Sequence, residues 1–297
     1  AGMSYNGFLD TLKSILPERW TKSHPLVPVL RLSGPIGISS PFRQELSLPT
    51  VAAAIDKAFG MRGAKAVAIQ INSPGGAAVQ STLIHKRIRA LAEEKDLKVY
   101  TFCEDVAASG GYMLSLAGDE IYADQSSIVG SIGVIAAGFG FPGLLEKIGV
   151  ERRVYTAGES KDTLDPFLPE KQADVDRIKA IQVDVHEAFI SMVKSRRGDK
   201  LTKPDDELFT GAFWSGKTAV ELGLIDGLSD LRTKMREVFG EDVRFKLVSS
   251  GASWLRRGKK AVSSSAGGFE LGQWPQGFAA DLISAVEARA LWSRFGL

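Results

Sequence analysis

Two short glycine-rich runs constrain this chain more than anything else in it. They are Asn72, Ser73, Pro74, Gly75, Gly76 and, further on, Ala107, Ala108, Ser109, Gly110, Gly111, Tyr112. Each sits where a strand should pass into a helix. The first follows a β-rich apolar run over 65–71 and precedes a helical stretch over 77–94; the second follows 98–103 and opens a helix of small residues. Turns of this kind let backbone N–H groups approach a bound group closely, and the helix behind them adds the positive end of its dipole. That combination suits a developing oxyanion, and Ser109 stands where a nucleophile would be needed.

Around these turns the chain alternates strand and helix. Further strands are expected over 27–32, 119–123, 128–135 and 151–156, with helices over 50–59 and 142–148. A long helix over 169–197 follows, then shorter ones over 205–209, 215–222 and 230–239 and a late strand over 243–248. The pattern is that of a βα-repeating α/β core with mostly parallel pairing. At 297 residues the chain is near the upper limit for one core, so one main domain with helical extensions is expected.

Composition narrows the function classes. A 44% apolar and 24% charged chain is an ordinary globule, and a net charge of +2 is too balanced to imply a nucleic-acid partner. Cys103 is the only cysteine; it cannot form an internal disulfide, and its place in an apolar strand reads as core packing. Residues 125–145 carry no charge, but five glycines, a proline and three serines favour short buried strands over a membrane span. The amino terminus lacks a basic segment followed by a long apolar run, so no secretory signal is expected; Met3, after Ala1 and Gly2, reads as the native start. Phe8, Leu9, Leu12, Ile15 and Leu16 form one apolar helix face, expected to dock on protein in preference to a membrane surface. The compartment expected on these grounds is the cytoplasm or the membrane periphery.

A serine hydroxyl needs a base to take its proton. His24, His85 and His186 are the only histidines, and none stands in a strand-end loop beside an acidic partner; solvation or packing explains each. Lysine is the other choice, because desolvation can strip a buried ammonium of its proton. Lys161, in a loop after the 151–156 run, is the candidate, although such a residue taken alone reads as a surface lysine.

The run from Asp105 to Tyr112, then Gly130, Ser131, Ile132, Gly133, Val134, then Gly158, Glu159, Ser160, Lys161 resemble the successive signatures of the signal peptide peptidase A family of serine–lysine peptidases. Leu222, Gly223, Leu224, Ile225, Asp226 resembles that family's segment near the end of its core, and the resemblance extends from Val27 to Phe239. It implies a ClpP/crotonase-like spiral of ββα units with helical extensions, and assembly into homo-oligomeric rings. It also implies that Ser109 is the nucleophile, Lys161 the general base, and Ser131 the group that orients the lysine amine. The N–H groups of Gly76 and Gly110 would form the oxyanion hole. Leu83, Val106 and Ile132 are candidate walls of an apolar substrate groove. No metal or organic cofactor is implied, and the partners would be unfolded, apolar or signal-peptide-like peptides.

On this reading residues 1–25 form an N-terminal helical extension and 26–248 the peptidase core with a helical arm. Residues 249–297 form a flexible basic linker and a C-terminal amphipathic helix, whose apolar face includes Phe278, Leu282, Ile283, Val286 and Ala290. Two other classes share features of the pattern. A crotonase-like acyl-CoA enzyme would use the same oxyanion turns without needing Ser109, Ser131 and Lys161. A non-catalytic scaffold at the membrane would use only the terminal helices.

Overall fold

The structure, a computed structural model, describes residues 24–38, 45–158 and 160–249, together with 286, 289, 290, 292, 293 and 295. The expected amino-terminal helix, the basic linker and most of the carboxy-terminal helix therefore lie outside the described residues. In chain order the elements are β1 (Leu26–Ser33), α1 (Leu48–Phe59), β2 (Ala66–Ser73), α2 (Ala78–Lys95), β3 (Lys98–Ala108), α3 (Gly110–Ser115), β4 (Glu120–Ala123), β5 (Ile128–Gly130) and α4 (Pro142–Lys147). Then follow α5 (Gln172–Arg197), a 3₁₀ turn (Gly198–Lys200), α6 (Asp205–Leu208), β6 (Phe213–Ser215), α7 (Gly216–Glu221), β7 (Gly227–Leu228), α8 (Leu231–Phe239) and β8 (Arg244–Val248).

The eight strands form one sheet in the order β6-β5-β3-β2-β1-β8, with β4 paired to β3 and β7. All pairings are parallel except β5 with β6. The central strands are apolar at almost every position because both faces are covered. Leu30, Leu32, Val67, Ile69, Ile71 and Val99 pack under α1, α2 and α3, while Val27, Val29, Ala66, Ala68, Tyr100 and Phe102 pack under Leu231 and Met235 of α8. This is a mixed α/β fold with a largely parallel sheet, of the ClpP/crotonase-like kind.

The device that aims the site is an irregularity in β3. Residues 100–103 pair with β4 and 106–108 with β5, so one strand serves two partners in succession along the same edge. Between the pairs Ile71/Cys103 and Ser73/Ala107, β2 advances two residues and β3 four. Asn72 fills the mismatch: its Nδ2 donates to Asp105 Oδ2 at 2.6 Å and its Oδ1 accepts from the Val106 N–H at 3.3 Å. Such a bulge bends the strand and sharpens its twist, which turns the end of β3 out of line with β4 and onto β5.

Three expectations change. The strand starting at residue 98 runs on to Ala108 instead of stopping at Cys103. The strand expected over 128–135 ends at Gly130, where a positive φ breaks the extended backbone. The strand expected over 151–156 does not form: its Val154 and Tyr155 are β-prone, but no strand among the described residues pairs with it, and Tyr155 is 92% exposed.

A buried ionic clamp closes the core behind the site. Arg197, 3% exposed, donates through Nε to the Gly223 carbonyl and through Nη1 to Asp226 Oδ2, each at 2.8 Å. Lys200 Nζ and the Ile121 N–H also donate to Asp226, and the Tyr112 hydroxyl donates to the Leu224 carbonyl at 2.7 Å. The helix that begins beside Ser109 is thereby tied to α5. Burial alone would raise the Asp226 pKa, but the hydrogen bonds from Arg197, Lys200 and Ile121 outweigh it and hold the carboxyl below its ordinary value. A depressed carboxylate stabilises the fold above the unfolded aspartate pKa of about 4, and that contribution is lost as pH falls through the lower folded value. Arg197→Met is expected to cost about 3–5 kcal/mol at neutral pH by leaving Asp226 short of its main partner. Denaturant titrations from pH 7 to pH 2 check this, and the gap between the two proteins should narrow below about pH 4 as Asp226 is protonated.

Candidate active site

β3 delivers Ser109 at the strand-to-helix corner. Its backbone has φ 52° and ψ −121°, a conformation usually left to glycine, and its N–H is fastened to the Gly130 carbonyl of β5 at 2.8 Å. The side chain makes no capping bond to α3, so a helix N-cap does not account for the serine. Strain of this kind is retained at functional corners because the surrounding structure enforces it. Ser131 is the second such residue, with φ 53° and 6% exposure, its N–H donating to the Ala212 carbonyl at 2.7 Å. Among the described residues only four non-glycines have positive φ, and two of them are these serines, lining the same cavity.

The first glycine turn lies directly against the second. A Cβ on Gly75 would come within 2.8 Å of Ser109 Cβ and 3.0 Å of the Gly110 nitrogen, and one on Gly76, at φ +138°, would fall 2.1 Å from the Ile36 carbonyl oxygen. Ile36 holds the turn by donating to the Gly75 carbonyl and accepting from the Ala77 N–H, both at 2.8 Å. No hydrogen bond among the described residues takes up the Gly76 or Gly110 N–H. These two donors remain available to a ligand beside Ser109.

A groove of about 1400 Å³ opens over these turns, lined by Ser109, Gly76, Gly110 and Ser131 and by residues of α2 and α5. That exceeds the usual volume of a small-molecule site and is room for an extended peptide. Leu83 lines it, 39% exposed. Val106 and Ile132 do not line it, which corrects the expectation for both: each is fully buried. Alternation along β3 turns Val106, with Ala108, to the face where Trp292 and Phe295 pack, and Ile132 points into the main core. Cys103 is buried as expected, and burial pushes its thiol up to about 11, which makes it a poor nucleophile.

Lys161 stands elsewhere. It is exposed in an irregular segment beyond Gly158, and it is not among the residues lining the groove of its own chain. The segment from Val134 to Tyr155 presents Ile135, Phe139, Leu144, Ile148, Val150 and Tyr155 to the outside. Two histidines set aside on sequence grounds do line the groove. His186 of α5 sits with Nε2 3.1 Å from the Ile132 carbonyl, and His85 of α2 is 8% exposed. The helical spacing His186, Phe189, Val193 and Ser81, Ile84, His85, Ile88 puts both on inward faces, a signal present in the sequence.

Fold and site together define an α/β protein of the ClpP/crotonase-like type with a serine at a strained strand-to-helix turn. Residues 91–240 match peptidase family S49, and the chain belongs to that family of serine proteases. It is 34% identical over 171 residues to the serine protease SPPA, chloroplastic, of Arabidopsis thaliana, covering 56% of this chain and 24% of that one. It is 30% identical over 222 residues to Protease 4 of Haemophilus influenzae, covering 73% and 35%. It is also 52% identical over 287 residues to a protein of Brucella abortus (strain 2308) named Na(+)/H(+) antiporter NhaA, a match covering 96% of this chain but 39% of that protein. The antiporter name belongs to that longer protein; no helix among the described residues here is long and apolar enough to cross a membrane.

Proposed function

We propose that the chain is a serine endopeptidase that cleaves unfolded, apolar or signal-peptide-like segments through an acyl-enzyme on Ser109. The observation that carries this is Ser109 itself, strained at φ 52°, with no capping bond, in a peptide-sized groove beside two unclaimed N–H donors. Ser109 Oγ attacks the scissile carbonyl carbon while Lys161 Nζ takes its proton, and the N–H groups of Gly76 and Gly110 receive the oxyanion. Collapse of the tetrahedral intermediate expels the amine, which takes the proton back from lysine. Water, giving a proton to the now neutral Lys161 amine, then attacks the acyl carbon; the bond to Ser109 Oγ breaks, Oγ takes the proton back from the lysine, and the carboxylic product leaves. Ser131, in the same groove, keeps the lysine amine in line.

Lys161 reaches Ser109 from a neighbouring subunit in this reading. Two observations support it: Lys161 does not line its own chain's groove, and the segment leading to it carries exposed apolar side chains and a β-prone run with no partner strand among the described residues. A subunit boundary also supplies the dry surroundings that a neutral lysine needs. The proteins it serves, the ring it forms and its contact with membranes belong to the same proposal. A fluorophosphonate probe should label the protein at Ser109 alone, read by peptide mapping after proteolysis. Labelling at another serine, or no labelling of folded protein, would overturn the assignment.

A further inference from the structure

The turn after β5 departs from ordinary backbone geometry at two consecutive residues. Gly130 has φ +109° and Ser131 φ 53°, and a serine keeps such a conformation only where its surroundings enforce it. Three parts of the protein do so. The Gly130 carbonyl accepts from the Ser109 N–H at 2.8 Å, the Ser131 N–H donates to the Ala212 carbonyl at 2.7 Å, and the Ile132 carbonyl lies 3.1 Å from His186 Nε2. A carbonyl oxygen only accepts, so Nε2 is the donor in the last of these.

The His186 bond is the one hydrogen bond among the described residues that joins α5 to segment 130–135. The far end of α5 is anchored separately, by Arg197 on Asp226 and the Gly223 carbonyl and by Arg196 on the Leu116 and Gly118 carbonyls just past α3. α5 therefore spans from the end of the helix that begins beside Ser109 to the turn that carries Ser131. In that turn the Ile132 side chain is locked in the core, and the peptide plane between Ile132 and Gly133 is held from both sides. His186 takes its carbonyl, and its N–H donates to the Ser131 carbonyl at 3.0 Å. Freeing that carbonyl lets Ser131 relax toward the negative φ that a serine prefers.

We propose that His186 is a positioning residue for the two groove serines: by donating to the Ile132 carbonyl it holds Ser131, and through the Gly130 carbonyl Ser109, in the strained geometry that the reaction uses. The proposal rests on the peptidase reading, since it assigns both serines to that reaction. The role calls for a hydrogen-bond donor and no proton transfer, which separates His186 from a general base. Misplacing reacting groups by about 1 Å costs on the order of a hundredfold in rate, so the effect belongs in kcat.

The test compares His186→Leu, which removes the donor, with His186→Gln, whose carboxamide nitrogen can stand in for Nε2 but cannot act as a base. Circular dichroism checks that both fold. Hydrogen-exchange mass spectrometry, which needs no turnover, should show the peptides spanning Ser109 and Ser131 exchanging about fivefold or more faster in His186→Leu, with β1 and β2 unchanged and His186→Gln close to the unsubstituted protein. With an apolar fluorogenic peptide, His186→Leu should lower kcat about ten- to a hundredfold while KM moves less than about threefold, and His186→Gln should keep most of the rate. Loosening of both serine peptides in His186→Leu and not in His186→Gln, without hydrolysis by the unsubstituted protein, upholds the tether and removes the peptidase reading. Hydrolysis with full kcat in folded His186→Leu, a change in KM alone, a His186→Gln protein as slow as His186→Leu, or unaltered exchange at the serines overturns the positioning role alone.

Discussion

Ser109→Ala will lower peptide hydrolysis by about four orders of magnitude or more while leaving the fold in place. The loss follows from removing the atom that forms the acyl-enzyme; what remains is binding and the oxyanion donors, which support only a residual rate. The fold survives because the hydroxyl is not a helix cap and the backbone bond from the Ser109 N–H to the Gly130 carbonyl needs no side chain. Turnover of an apolar fluorogenic peptide and thermal melting by circular dichroism check the two halves together. Ser109→Gly separates catalysis from strain: it should be equally inactive yet no less stable, because glycine adopts φ 52° at no steric cost. Substantial turnover by folded Ser109→Ala would end the nucleophile assignment.

Two inactive variants will restore activity when they assemble together. If Ser109 and Lys161 of one site come from different chains, Ser109→Ala chains still offer a lysine and Lys161→Ala chains still offer a serine. Random mixing in equal amounts leaves both groups intact at about a quarter of the sites, so mixed oligomers should recover about a quarter of wild-type turnover. Dyads held within one chain would recover nothing. Dual affinity tags isolate the mixed assemblies, and light scattering verifies their mass. A verified mixed oligomer without activity refutes the shared site, and a monomeric wild-type protein refutes the assembly as well.

Much of this site was legible in the sequence because its parts are local. A strand, a glycine turn and a helix start are decided by neighbours in the chain, so Ser109, Gly76 and Gly110 could be placed at their corners from residues 65–112 alone. Ser131 in its glycine-flanked run was legible for the same reason, and both serines occupy strained turns. The groove walls were not. Val106 is a candidate wall by sequence, yet alternation along β3 turns it to the opposite layer, under Phe295. His85 and His186 stand on helices and not in strand-end loops, so no local signal marks them, but the packing of α2 and α5 brings both to the groove.

The sequence by itself determined the repeating βα order, the turns that bear the candidate nucleophile and its N–H donors, and the membership in a serine protease family. These depend on backbone chemistry within a few residues, where glycine, serine and apolar periodicity act directly. Only the tertiary structure decided that β3 outlasts β4 and crosses onto β5, because that requires the Asn72 side chain to bridge a two-residue mismatch between strands. Tertiary structure also decided that the 151–156 run is not a strand here, since a strand exists only where another offers it hydrogen bonds. The same physics separates Lys161 from Ser109: Lys161 lies 52 positions further along the chain, and where that length folds back is decided by packing rather than by any local signal.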